Sequence, residues 1–281
     1  MAFRTLIDSA TLANLLAQDP SVVVVDCRFE LSNPPAGAQA YETAHIPGAV
    51  YAHLDRDLSG AKTGKNGRHP LPEPDALRAT LGRLGIRSGR QVVAYDQDSG
   101  MYASRLWWLL RWMGHDAVAV LDGGFAAWTA DGHSTSSGVE TTPAATFEGE
   151  PHPEMLATVE ALPAFVASPG ARLVDARAPE RFRGDIEPLD PVAGHIPGAL
   201  NHFFQWNLAG GRFLAAEALG QRLRESIGDA EGDRIVCYCG SGVTACHNLL
   251  ALEHAGISGA RLYPGSWSEW SADPARPVER G

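Results

Sequence analysis

Residues 235–246 of this chain read IVCYCGSGVTAC. The first four of them, 235–238, are apolar, β-branched or aromatic, which is typical of a short buried strand. Two glycines then permit a tight turn, and the residues from Thr244 onward have a helical pattern. Cys239 is therefore predicted on a loop between a strand and a helix, where backbone N–H groups and the helix dipole attract an anion. Such a position favours a thiolate, so the sequence predicts a nucleophilic sulfur.

The surroundings of this segment occur twice in the chain. Four short sequences recur in the same order in both halves: VVVDCR at 23–28 and RLVDAR at 172–177, AHIPGAV at 44–50 and GHIPGAL at 194–200, VVAYD at 92–96 and IVCYC at 235–239, and GGFAAW at 123–128 and GSWSEW at 265–270. The offset between partners stays between 142 and 150 residues. Such matches indicate an internal duplication. A period this long indicates two domains rather than a solenoid, whose repeats span about 20–50 residues.

Length and patterning also predict two α/β domains. The chain has 281 residues, and the usual prior is roughly 150 residues per domain. Apolar runs alternate with helical patterns, which predicts in each domain a mostly parallel sheet flanked by helices. The predicted strands lie at 22–26, 92–95, 117–121, 172–175, 235–238 and 260–263. We expect a first domain at 1–138, a linker at 139–153 that is rich in Thr, Pro and Glu, and a second domain at 154–281.

The composition argues against several classes of function. A formal net charge of −10 argues against a nucleic acid or an anionic membrane as partner. Apolar runs fall short of the ~20 residues that span a bilayer, and the N-terminal residues lack the pattern of a secretory signal. Four cysteines do not suggest a disulfide framework, and Cys27, Cys237 and Cys246 are predicted to be core thiols. We expect a cytoplasmic protein without a metal site or an organic cofactor.

The two copies differ where chemistry is expected. The first half has Asp96 at the position that Cys239 holds in the second half. Its loop, residues 96–100, has no nucleophilic sulfur and carries two carboxylates that would repel an anionic donor. We therefore expect an inactive first domain and a catalytic second domain. A further polar segment at 62–70 is predicted to be an exposed loop.

These motifs together resemble the two-domain rhodanese-type sulfurtransferases, and the resemblance covers nearly the whole chain. It implies two tandem rhodanese-like domains. It also implies that Cys239 takes sulfane sulfur from a small anionic donor, becomes a persulfide, and passes the sulfur to cyanide or to a thiol such as thioredoxin or glutathione. A persulfide anion needs several N–H donors. The loop residues expected to supply them are Gly240, Ser241, Gly242, Val243 and Thr244.

The resemblance also concerns the choice of donor. The loop CGSGVTAC resembles that of the 3-mercaptopyruvate branch, whereas thiosulfate-preferring members usually place a basic residue early in the loop, where this chain has Gly240 and Ser241. We expect 3-mercaptopyruvate to be favoured and thiosulfate to be a close second.

Two positions are expected to bind the donor. Arg181 lies where the family places a donor-binding arginine, and a guanidinium binds a carboxylate or thiosulfate through two hydrogen bonds. Animal mercaptopyruvate enzymes have a second arginine after a Glu-Pro pair. Here Leu189 and Asp190 follow that pair, so this arginine is missing, and Arg183 is the candidate to replace it.

A Ser–His–Asp relay has been proposed in the family. Ser241 and His45 match two of its members, while the segment between Cys27 and His45 has no aspartate. His45 is therefore the candidate relay histidine.

Three other functions are weighed against this hypothesis. A cysteine phosphatase needs an arginine six residues after its nucleophile, but position 245 is alanine and the loop is one residue short by family comparison. A persulfide carrier without turnover needs the same cysteine, so the sequence leaves this alternative open. A binding module without chemistry would have no use for the intact Cys239 loop.

Overall fold

The structure is a computed structural model that describes residues 2–281. Its internal contacts divide the chain into two units: residues 2–60, 72–152 and 210–212, and residues 61–71, 153–209 and 213–281. This division differs from the predicted boundaries in three ways. Residues 210–212 group with the first unit although they lie in the second half of the chain. Segment 61–71 groups with the second unit although it lies in the first half of the chain, and the predicted linker groups with the first unit up to His152.

The first unit is a parallel sheet with helices. Its strands are β1 (Leu6–Ile7), β2 (Val23–Asp26), β3 (Val50–Tyr51), β4 (Val92–Tyr95) and β5 (Val118–Leu121). Its helices are α1 (Ser9–Gln18), α2 (Ala36–Thr43), α3 (Leu54–Asp57), α4 (Pro74–Arg83), α5 (Ala103–Trp112) and α6 (Gly124–Ala130). The strand order is β1-β5-β4-β2-β3, and every pairing is parallel.

The second unit repeats this plan. Its main strands are β6 (Arg172–Asp175), β7 (Leu200–Asn201), β10 (Ile235–Tyr238) and β11 (Arg261–Leu262). Two short strands precede β10 along the chain: β8 (Leu208–Ala209) belongs to this unit, and β9 (Arg212–Phe213) spans the boundary after residue 212. The α-helices are α7 (Leu162–Val166), α8 (Pro179–Arg183), α9 (Ala216–Ile227), α10 (Thr244–His254) and α11 (Ser266–Trp270), and single 3₁₀ turns span Pro153–Met155, Phe204–Asn207 and Gly232–Arg234. The main sheet has the parallel order β11-β10-β6-β7.

The apolar strands form as predicted because both of their faces are covered. All four residues of β4, β5 and β10 are buried, as expected for parallel strands between helices. Each predicted strand is confirmed to within two residues. The helices formed by residues 2–281 are all too short or too polar to cross a membrane.

The duplicated sequence motifs make duplicated contacts. At the end of β2, Arg28 Nη2 lies 2.6 Å from Asp26 Oδ2, and at the end of β6, Arg177 Nη2 lies 2.6 Å from Asp175 Oδ2. Each guanidinium also donates to the carbonyl that precedes the HIPGA histidine of its own unit. These buried pairs tie the HIPGA segment to the carboxyl end of the sheet, next to the loop that follows β4 or β10.

Candidate active site

Cys239 lies between β10 and α10, as the sequence predicts. Its side chain is 2% exposed. The backbone N–H of Gly242 donates to Cys239 Sγ at 3.1 Å, so a loop amide points at the sulfur. Gly242 has φ of +77°, and a Cβ there would lie 2.4 Å from the carbonyl oxygen of Pro264. Glycine is therefore required for the turn that aims this amide.

Residues at the start of α11 form hydrogen bonds with the backbone of Cys239. Ser266 Oγ accepts a hydrogen bond from the N–H of Cys239 at 3.1 Å, and the N–H of Trp267 donates to the carbonyl of Cys239 at 2.9 Å. Among the described residues, Ser266 is the only non-glycine residue with positive φ, at +56°. Such a conformation costs about 1–3 kcal/mol and persists only where the surroundings enforce it. Sequence reasoning missed Ser266, although its match to Gly124 in the first half was a usable signal.

Segment 61–71 supplies two further side chains. The predicted exposed loop is wrong at its C-terminal end, where Arg68 is half-buried and His69 is buried. His69 Nδ1 lies 2.8 Å from Ser241 Oγ, and the N–H of Arg68 donates to Ser268 Oγ at 3.0 Å. These contacts place a histidine and an arginine beside the cysteine loop.

The histidine that contacts Ser241 is thus His69, which corrects the prediction of His45. His45 Nδ1 lies 2.7 Å from the carbonyl oxygen of Tyr41, and the two rings stack with centroids 4.3 Å apart. In the second unit the matching histidine of the HIPGA segment contacts the carbonyl and ring of Phe182 in the same way. This shared arrangement explains the repeated motif as a structural one.

Two guanidinium groups lie beside Gly240. A Cβ at this position would be 2.8 Å from Arg68 Nη2 and 3.5 Å from both terminal nitrogens of Arg181. Arg181 is therefore near the loop, where the resemblance implies it. Arg68 was missed because it is far away in the sequence, and it provides the second guanidinium that the sequence appeared to lack.

Buried carboxylates accompany these arginines. Glu187 Oε1 lies 2.6 Å from Arg181 Nη2, and Glu187 Oε2 lies 3.2 Å from Arg177 Nη1. Asp190 pairs with Arg68 through Oδ1. Burial raises the pKa of Asp190, while its contact with Arg68 opposes that rise. The charges next to Gly240 are thus arranged as ion pairs rather than as isolated cations.

Arg183, the predicted replacement for the missing arginine, is placed differently. Its side chain is half-exposed, and its Nε donates to Asp185 Oδ2 at 2.9 Å. This is a surface ion pair, so the second guanidinium beside the loop comes from Arg68 and not from Arg183.

The four cysteines are free and buried. Burial raises the pKa of the Cys27 and Cys237 thiols, as expected for core thiols. Within residues 2–281, no group of three or more His, Cys, Asp or Glu side chains is arranged to hold a metal ion. Cys239 therefore differs from the other three in that it lies on the loop of amides and beside the arginines.

The chain is similar over nearly its full length to known proteins with rhodanese-like domains. The family model described as the rhodanese-like domain matches the chain twice, at residues 8–131 and 158–273. A Pseudomonas aeruginosa protein named as a 3-mercaptopyruvate sulfurtransferase is 49% identical over 284 residues, with 100% of both chains covered. A Mycobacterium tuberculosis protein named as a thiosulfate sulfurtransferase, SseB, is 43% identical and covers 99% of this chain and 98% of its own length.

Solved structures are similar as well. The crystal structure of SseA from Escherichia coli, described as a 3-mercaptopyruvate enzyme with the rhodanese fold, has a TM-score of 0.81 at 30% identity and covers 94% of this chain and 99% of that chain. The 3-mercaptopyruvate sulfurtransferase from Leishmania major has a TM-score of 0.84 at 30% identity, covering 95% of this chain and 74% of that chain.

Proposed function

The chain belongs to the rhodanese family and is a sulfurtransferase, and from this premise we propose that Cys239 is the nucleophile that carries the sulfur. The second unit is then the catalytic one, and the first unit is inactive. The observation that carries the proposal is the hydrogen bond from the N–H of Gly242 to Cys239 Sγ, 3.1 Å long. A donor aimed at sulfur stabilises negative charge on that atom throughout the transfer.

The proposed transfer is a displacement at sulfur. The Cys239 thiolate attacks the sulfur of 3-mercaptopyruvate, an S–S bond forms, and the C–S bond breaks. The electron pair of that bond leaves with carbon as the enolate of pyruvate, which then takes a proton. With thiosulfate the same attack breaks the S–S bond of the donor and releases sulfite. In the second half-reaction an acceptor thiolate attacks the outer sulfur and returns Cys239 as a thiolate.

His69 and Ser241 are suited to the enolate. Their hydrogen bond, 2.8 Å long, joins two buried side chains next to the cysteine. A histidine that holds a hydroxyl in place allows that hydroxyl to donate to a developing oxyanion or to deliver a proton. This role concerns 3-mercaptopyruvate only, since sulfite leaves thiosulfate without needing a proton on carbon.

Arg181 and Arg68 would bind the anionic end of the donor. Both guanidiniums lie within 3.5 Å of the Cβ position of residue 240, directly next to the nucleophile. We propose 3-mercaptopyruvate as the favoured donor and thiosulfate as a close second. The names of the relatives point the same way, since proteins assigned to each donor are 49% and 43% identical to this chain.

The proposed acceptor is a thiol, either glutathione or the dithiol of thioredoxin. Such acceptors are kept reduced in the cytoplasm, which is the compartment we propose. Four free cysteines are compatible with a reducing environment.

Steady-state turnover with each donor, paired with cyanide and with a dithiol, tests the proposal. We expect multiple turnovers with both donors and a higher kcat/KM with 3-mercaptopyruvate. One sulfur transferred per chain, followed by arrest, would instead support the persulfide carrier. Absence of transfer to Cys239 with both donors would overturn the proposal altogether.

A further inference from the structure

Asp190 adds a negative charge to the place where the donor anion is expected. Its side chain is 3% exposed. One carboxylate oxygen pairs with Arg68, and the other lies 3.5 Å from Arg181 Nη2. Asp190 therefore faces the same two guanidiniums that lie beside Gly240.

Arg181 does not depend on Asp190 for its position. Glu187 contacts it twice, at 2.6 Å through Nη2 and at 3.3 Å through Nε. Glu187 is in turn fixed by Arg177, at 3.2 Å, and by the N–H of Leu189, at 3.1 Å. One of the two cations beside Gly240 is thus oriented by a different carboxylate.

Two polar atoms of the Arg68–Asp190 pair are buried and unsatisfied. Among residues 2–281, neither Arg68 Nε nor Asp190 Oδ2 has a hydrogen-bond partner. A buried N–H donor without an acceptor is costly, and this one belongs to a guanidinium beside the nucleophile. An incoming anion would supply the acceptor that Arg68 Nε lacks, while Asp190 Oδ2, which lies 3.5 Å from Arg181 Nη2, would repel that anion.

We propose that Asp190 is a specificity residue that selects donors by charge, favouring a monoanion over a dianion. The inference rests on the proposed function. Both donors meet the same two arginines, but thiosulfate carries two negative charges and 3-mercaptopyruvate carries one. A fixed buried carboxylate repels the dianion about twice as strongly. Asp190 thus offsets part of the attraction of Arg68 and Arg181, and it does so mainly against thiosulfate.

Asp190→Asn removes the charge and preserves the shape of the side chain. We expect the ratio of kcat/KM for thiosulfate to that for 3-mercaptopyruvate to rise about tenfold, mostly through a lower KM for thiosulfate. Asp190→Glu retains the charge, and the ratio is expected to stay near that of the parent. Asp185→Asn is the matched control, since it removes an equal charge from an exposed ion pair with Arg183 in the same segment. It should leave the ratio unchanged.

A merely structural role for Asp190 predicts a different result. Kcat/KM would then fall by the same factor for both donors, and that outcome, or an unchanged ratio, would overturn the inference. If Asp190→Asn does not fold, Asp190→Ser makes the same change of charge with a smaller side chain and decides the question in the same way.

Binding to the Cys239→Ser variant separates this inference from the proposed function. Calorimetry with thiosulfate and with pyruvate, with and without Asp190→Asn, measures the charge preference without turnover. Thiosulfate affinity should rise about tenfold more than pyruvate affinity. Equal changes for the two anions would overturn the role of Asp190 even in an active enzyme. Conversely, a parent enzyme that transfers no sulfur would overturn the proposed function whatever the calorimetry shows.

Discussion

The loops that follow β4 and β10 are held by equivalent backbone hydrogen bonds, but the first begins with a carboxylate, Asp96, and the second with a thiol, Cys239. In the second unit the N–H of Gly242 donates to Cys239 Sγ. In the first unit the Asp96 carboxylate accepts hydrogen bonds from the N–H groups of Gly100, Tyr102 and Ala103, at 2.9, 2.7 and 3.1 Å. In the first loop the backbone N–H groups thus bind the loop's own carboxylate, whereas in the second an N–H group donates to the Cys239 sulfur. The matching position thus holds a carboxylate bound by loop N–H groups in one unit and a thiol bound by a loop N–H group in the other.

The supports of the two loops match closely. Phe125 N–H donates to the carbonyl of Asp96, and Trp267 N–H donates to the carbonyl of Cys239, both at 2.9 Å. The residue before each of these donors has φ near +57°, but it is glycine in the first unit and Ser266 in the second. The second unit therefore accepts strain at the position where a hydroxyl contacts the N–H of the cysteine.

The largest expected effect is that of Cys239→Ser. We expect kcat/KM to fall at least about 10³-fold with both donors, because a hydroxyl does not accept sulfane sulfur and the Asp96 loop offers no substitute nucleophile. Cys27→Ala, at a buried thiol of the first unit, is the control and should retain turnover. Substantial activity in Cys239→Ser would mean that the contrast between the loops does not locate the chemistry.

Asp96→Ala tests whether the matching loop of the first unit contributes to stability rather than to turnover. It leaves three backbone N–H groups without their acceptor, so the free energy of unfolding of the first unit should fall by about 2–3 kcal/mol. Urea denaturation measures this loss, and turnover per folded molecule should stay within about twofold. Asp98→Ala, at an exposed position of the same loop, should change stability by less than about 0.5 kcal/mol. A loss of turnover as large as that of Cys239→Ser would contradict the proposal that the first unit is inactive.

Ser266→Gly gives the second unit the residue that the first unit has at the matching position, Gly124. Glycine relieves the strain at φ of +56°, so stability should not fall, but the N–H of Cys239 loses its acceptor. We expect kcat/KM to drop about tenfold, with the parent fold retained by thermal unfolding. Ser266→Ala loses the same hydroxyl and keeps the strain, so it should be equally slow and less stable. Full activity in both variants would show that the hydroxyl serves folding alone.

A smaller expected effect is that of pH on the stability of the second unit. Burial lowers the pKa of His202 below its ordinary value of 6.5, and its ring contacts Ser226 and Asn207. The unfolded chain therefore binds a proton more readily than the folded one, so stability is lost as the pH falls below 6.5.

We expect about 1 kcal/mol less stability for the second unit at pH 5.5 than at pH 7.5. Hydrogen exchange of α10 reports on this unit, and His202→Gln should remove the pH dependence. His152→Gln, at an exposed position of the first unit, should not. An unchanged pH dependence in His202→Gln would assign the effect to another group.

The comparison of the two units also shows which features can be predicted from the sequence. Arg181 is expected from the resemblance to the family, whereas the duplicated strands and Cys239 lie within repeated motifs, so their positions follow from local patterns. Arg68 and His69 do not, since His69 meets Ser241 across 172 residues of sequence. Their segment, 61–71, belongs to the second unit although it lies between elements of the first, and composition alone makes it look like an exposed loop.

The error over His45 has a related cause. Its motif is repeated, and a histidine beside a conspicuous turn is easily taken for a functional one. Its stacking on Tyr41, like the stacking of His195 on Phe182, becomes visible only in the folded unit. His69, which contacts Ser241, lies in a segment outside the repeated motifs, so the repeats do not single it out.

The closeness of Arg68 to Gly240 also constrains how this enzyme can change. A side chain at position 240 would begin 2.8 Å from Arg68 Nη2, so the two positions compete for one volume. A lysine or arginine introduced at position 240 would fit only after the end of the Arg68 side chain had moved. A basic residue at position 240 would therefore displace one of the two cations that we propose bind the donor.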